Sequence, residues 1–132
     1  MKQVPPTREE SVQFWADTVA GIDLPTPLVV NAPGGGAPVR ATHDVDLTAV
    51  ATDGVAALLK ESGATASTLC VALWAALLSR YADRDVVVVA LDRDDGRTFP
   101  ATVSVRGESV SRWLREVEEG LEAQRRHDLD VE

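Results

Sequence analysis

The 132-residue chain is poor in nearly every residue type that carries covalent or metal chemistry. It has one cysteine, Cys70, so an intrachain disulfide is impossible. Two separated histidines, His43 and His127, cannot join one cysteine in a familiar zinc spacing. Basic residues are the minority, 13 against 21 acidic, for a net charge of −8. Nucleic acid and anionic membrane surfaces need clustered Lys and Arg, so both are excluded as partners. No apolar run reaches the length of a membrane span, because Asp83, Arg84 and Asp85 interrupt the longest one. No secretory segment follows Met1, and Met1 to Pro6 reads as a short flexible lead-in. A cytoplasmic protein is the expected class.

Catalytic signatures are equally scarce. No G-x-S-x-G elbow exists. The glycines at 34 to 36 are followed by "APVR", without the Lys-Ser/Thr pair of a phosphate-binding loop, so they read as linker. Each histidine has an Asp three residues on, Asp46 and Asp130. In a strand that spacing points the two side chains to opposite faces. Near a fraying terminus it holds no fixed geometry. Both histidines therefore read as solvated or packing residues. Cys70, between Leu69 and Val71, reads as a core thiol. Glu116, Glu118, Glu119 and Glu122 read as a solvated helix face, with Arg115–Glu119 and Glu122–Arg126 pairs four apart. Residue by residue, the chain offers no active site, cofactor site or metal site.

What the sequence does carry is punctuation. Thr7 and Glu10 have the spacing of a capping box. Val12, Trp15, Ala16 and Val19 then share a helical face, and Gly21 supplies a stop. Residues 22–38 form a Pro/Gly-rich loop. Val39 to Leu47 alternates as a strand. A helix over Thr48 to Ser62 turns Val55, Leu58 and Leu59 inward and ends at Gly63. Thr65 or Ser67 caps the next helix, which runs to about Tyr81 and is apolar nearly all round. Asp85 to Leu91, with four valines, suits a strand covered on both faces. Phe99 to Arg106 alternates as another strand. A last helix opens near Ser109 or Ser111, with Val110, Trp113, Leu114, Val117 and Leu121 as its apolar stripe. The expected class is α/β in the order α-β-α-α-β-β-α, a small mixed sheet packed by helices, in one domain over residues 1–132.

Four stretches in this order carry a resemblance: "FWADTVAG", "GATASTLCVALWAALLSRYADRDVVVVALDR", "FPATVSVRG" and "RRHDLDVE". The chain resembles part of the C-terminal lobe of the condensation domains of nonribosomal peptide synthetases, a chloramphenicol-acetyltransferase-like fold. Phe14-Trp15, Thr65, Tyr81, Asp85 to Val89, Phe99, Arg106, His127 and Glu132 fall on the family's motif positions. Ala90, Ala101 and Asp130 stand where the family has Gly, Asn and Pro. The family's catalytic H-H-x-x-x-D-G motif has no counterpart here; four residues beyond His43 is Leu47. The resemblance therefore implies a truncated lobe and a non-enzymatic module. Such a module would contact carrier, adenylation or other synthetase domains, with phosphopantetheine borne by the partner. A second implication is a split condensation enzyme completed by a separate lobe. A small-molecule acyltransferase with a pocket behind the Asp85 to Leu91 strand has the least support.

In a truncated lobe the apolar helix lacks cover, which a partner or self-association would supply. Trp74 and Trp113 are its candidate anchors. Arg80, Arg84, Arg93 and Arg97 flank the two ends of the valine strand. They read either as a basic patch for an acidic carrier or as solvated loop arginines.

Overall fold

The computed structural model describes residues 4–23, 26, 37, 39–107 and 109–128. The glycines at 34 to 36, most of the 22–38 loop, Asp130 and Glu132 lie outside the described residues. The elements are helices α1 (Arg8–Val19), α2 (Ala49–Ser62) and α3 (Ala66–Ala82), strands β1 (Val86–Asp92) and β2 (Thr98–Ser104), and helix α4 (Val110–Arg126). This is a mixed α/β architecture.

Each helix begins where its sequence says. Thr7 Oγ1 accepts from Glu10 N–H at 3.2 Å and Glu10 Oε2 accepts from Thr7 N–H at 2.7 Å, the reciprocal capping box. Thr48, Thr65 and Ser109 cap α2, α3 and α4 through single side-chain oxygens. Gly63 closes α2 at φ 72°, a left-handed turn that costs glycine nothing. Asp83 adopts the same region at φ 53° and ends α3 abruptly, so the chain reverses straight into β1.

β1 and β2 form an antiparallel hairpin with Val87 opposite Val103 and Val89 opposite Ala101. Its buried face is Val87, Val89, Phe99, Ala101 and Val103. α3 packs on β1 and on α4, while α4 packs on β2 and α2. The core is completed by Leu69, Ala72, Ala75 and Leu78 of α3 and Leu114, Val117 and Leu121 of α4. Val55, Leu58 and Leu59 of α2 lie half-buried against it. No single helix among the described residues is long and apolar enough to cross a membrane.

Several expectations are corrected. Val39 to Leu47 forms no strand; it is irregular and open to solvent, with Val45 71% exposed. Alternation supplies a strand only where an edge receives it, and among the described residues no neighbour pairs with this stretch. The order is therefore α-α-α-β-β-α, and the sheet is antiparallel rather than mixed. β1 buries Val87 and Val89 on one face only; on the other, Val86 and Val88 are half-buried and Ala90 and Asp92 exposed. α1 turns Ser11, Phe14, Trp15 and Thr18 inward, leaving Val12 and Ala16 exposed, because it is fastened mainly through its Phe14–Trp15 side. Arg115 reaches the last carbonyls of α2 rather than Glu119, donating to Glu61 O at 3.2 Å and Ser62 O at 3.4 Å.

Candidate functional site

α3 is apolar around most of its circumference, but only about half of it is buried. Thr68, Leu69, Ala72, Ala75 and Leu78 face the sheet and α4. Spaced at 70, 73, 74, 77 and 81, the other arc is a continuous apolar stripe of Cys70, Leu73, Trp74, Leu77 and Tyr81. Leu73, Trp74, Leu77 and Tyr81 are 45–59% exposed. Cys70 is exposed with them, not a core thiol: a helix apolar all round buries only the side that is met.

The two sheet edges differ in the same sense. In the hairpin, Thr98, Pro100, Thr102 and Ser104 turn their backbone groups away from β1. That outer edge is closed. Pro100 has no N–H, Thr102 N–H and C=O are bonded by the Gln124 amide, and Ser104 C=O accepts from Trp113 Nε1 at 2.8 Å. On the outer edge of β1 the corresponding residues are Val86, Val88, Ala90 and Asp92. Among the described residues, the single bond made there is from Val88 N–H to Thr26 Oγ1 at 3.0 Å. α3 covers β1 while α4 covers β2, so α3 lies over the side of the hairpin that ends in the open edge of β1.

The residues singled out from the sequence are dispersed around this surface. Trp74 stands on it. Trp113 does not: its ring packs half-buried against the core and its N–H is committed to Ser104. Arg80 is exposed on α3. Arg84 Nη1 donates to Asp23 O at 2.7 Å. Arg93 pairs with Asp128 and, at 3.4 Å, with Asp95; Arg97 also pairs with Asp95, at 3.0 Å. The length of β1, roughly 25 Å at the usual rise, separates Arg80 and Arg84 from Arg93 and Arg97, so they form no single patch. One backbone N–H bond and two guanidinium bonds from Arg97 hold the Asp95 carboxyl below the ordinary aspartate range.

Among the described residues no bond joins His43 to Asp46, and Asp130, three residues beyond His127, lies outside them. His43 lies exposed in the irregular stretch. His127 is a packing residue: its ring stacks on Phe14 at 4.2 Å, and its carbonyl accepts from Trp15 Nε1 at 2.8 Å. It sits at the end of α4 but is fixed there by α1, not fraying. Beyond the strand lies a cavity of about 660 Å³ at the hairpin tip, floored by Val71, Leu91 and Phe99 and rimmed by Arg93, Arg125 and Asp128. Among the described residues no group of three or more His, Cys, Asp or Glu gathers as a metal site.

Sequence reasoning missed the open edge of β1. The signal was Pro100, which marks the outward register of β2 and so, through the hairpin, the outward positions of β1.

No protein-family model matches the chain, and no solved structure does. Three curated relatives do. The chain is 31% identical over 134 residues to chondramide synthase cmdD of Chondromyces crocatus, covering 89% of the chain and 3% of that protein. Linear gramicidin synthase subunits B and C of Brevibacillus parabrevis are 36% identical over 83 residues and 30% over 128. The chain thus spans only 2–3% of the length of these relatives. These matches agree with the resemblance to a peptide-synthetase region without specifying which domain is matched. They also correct one expectation. The relatives are synthases, so the missing catalytic motif does not make this chain a non-enzyme.

Proposed function

We propose that the chain is a condensation-type part of nonribosomal peptide synthesis, contributing the C-terminal-lobe portion of a unit whose reactive histidines reside in another lobe. One observation carries the reading: the residues that bear the resemblance meet one another in the fold. Asp85, at the start of β1, is ion-paired with Arg106, just beyond β2. Phe14 and Trp15 both engage His127, far away in sequence. Motif residues scattered along the chain thus fasten the ends of neighbouring elements, as a lobe frame requires. The similarity to chondramide synthase cmdD across 89% of the chain supports the same reading.

In this reading the chain's chemistry is positional. It presents a rigid α/β wall to other synthetase domains, among them a carrier domain bearing its thioester, and the acid–base group comes from the lobe with H-H-x-x-x-D-G. The test is reconstitution. The chain is mixed with a polypeptide carrying that lobe and with loaded donor and acceptor carriers, and peptide-bond formation is followed by mass spectrometry. Product that requires this chain, and falls at least tenfold with Arg106→Ala, is expected. No product and no complex with lobe or carriers overturns the proposal.

A further inference from the structure

We infer that the open edge of β1, with the α3 stripe beside it, pairs with the same surface of a second copy of this chain. The inference goes beyond the synthetase reading and rests on different observations. The hairpin is guarded on one edge only. Proline, a buried amide and an indole N–H close β2, whereas β1 offers Val86, Ala90 and Asp92 with outward backbone groups unbonded among the described residues. Natural edges are protected by lysine, proline or a bulge, and β1 carries none of these along "VVVVALD".

The edge is also complementary to itself. Antiparallel pairing about a two-fold axis at Val88 sets Val88 against Val88, Val86 against Ala90, and Arg84 against Asp92. Val86, Val88, Ala90 and Asp92 share one face and turn their backbone groups outward, so the pairing forms without a slip; Arg84, whose N–H and C=O are held by Ser79, enters it through its side chain alone, leaving Asp23 O for Asp92. Arg84 meets Asp92 twice, once on each side of the axis. The hydroxyl of Thr26 on Val88 N–H gives way to the incoming Val88 carbonyl.

A strand edge alone is too small for a specific interface, which buries about 800 Å² per partner. The flank of α3 supplies the rest. α3 lies over that side of the hairpin, and its exposed Leu73, Trp74, Leu77 and Tyr81 add apolar area where the two copies meet. The product is a four-stranded sheet, β2-β1-β1-β2, whose two outer edges are the closed ones. This rule of assembly explains why one edge is guarded and the other is not.

The experiment is light scattering coupled to size exclusion on the chain alone, over a concentration series. A monomer–dimer equilibrium is expected. Ala90→Pro removes an outward N–H without touching the β1–β2 ladder and should abolish the dimer; an unchanged unfolding midpoint confirms that it folds. Arg84→Asp or Asp92→Arg alone should weaken association about tenfold, since each breaks two cross-strand pairs, and the double reversal should restore it. Thr26→Ala should strengthen it. A monomer at every concentration overturns the inference, whether or not synthetase domains bind. So does a dimer indifferent to Ala90→Pro and to the charge reversals. Failure to reconstitute condensation leaves it standing.

Discussion

The side-chain amide of Gln124 bonds both backbone groups of Thr102, donating to its C=O at 2.9 Å and accepting from its N–H at 2.8 Å. Gln124 is 5% exposed, so a helix side chain stands in for a third strand. Removing it leaves two backbone groups facing the apolar side of α4. Gln124→Met should lower stability by about 2 kcal/mol in urea unfolding. A loss under roughly 0.5 kcal/mol would show that water replaces the amide and that the edge is not closed as described.

Arg115 and Glu118, one turn apart on α4, hold the corner between α2 and α3. Arg115 donates to the last carbonyls of α2, and Glu118 accepts from Thr65 N–H at 3.2 Å at the start of α3. Each charge sits at the helix end whose dipole it complements. Arg115→Ala and Glu118→Ala should each cost about 0.5–1 kcal/mol and add nearly independently. The exchanged pair, Arg115→Glu with Glu118→Arg, should be less stable than the double alanine variant. Urea rather than guanidinium unfolding is the measurement, because salt screens the effect. Equal stability of exchanged and double alanine variants would refute the dipole argument.

The two helical tryptophans should separate stability from association. Trp113→Phe loses the bond to Ser104 and should cost about 1 kcal/mol. Trp74→Ala, on a half-exposed side chain, should move the unfolding midpoint by less than about 0.5 kcal/mol at concentrations where the chain is monomeric. Thermal unfolding of dilute samples decides it. A large loss at Trp74 would mean that α3 depends on that stripe for its own packing.

What was legible in the sequence is what residues decide locally. Thr7, Thr48, Gly63, Thr65 and Ser109 act on groups two to four residues away, and the helix ends follow them. The amphipathic stripe of α4 is equally plain, since Leu114, Val117 and Leu121 alternate with charge. What failed was each inference that needed a neighbour. Val39 to Leu47 alternates but meets no edge. Cys70 sits among apolar residues on an exposed side of α3. Arg115 has Glu119 within reach on its own helix, yet two carbonyls of α2 hold it. The pairing of Asp85 with Arg106, and of Trp15 with His127, exists only once the chain folds.

The capping box of α1 gives a prediction in pH. Glu10 accepts from the backbone N–H and hydroxyl of Thr7, and these bonds hold its carboxyl below the ordinary glutamate value. A depressed folded-state pKa means that the stabilisation is complete above the unfolded-state value. It is lost as pH falls through the depressed one. α1 is tied to α4 through Phe14 and Trp15, so release of the box should loosen that junction before the core responds. In a titration from neutral to acid, the Thr7 and Glu10 amide resonances should shift together, at a pH below that of an unperturbed glutamate. Trp15 indole exchange should rise over the same range. Glu10→Gln should flatten both curves, leaving Gln124 and Thr102 amides unmoved. A titration at the ordinary glutamate value would show that the reciprocal bond is not made in solution.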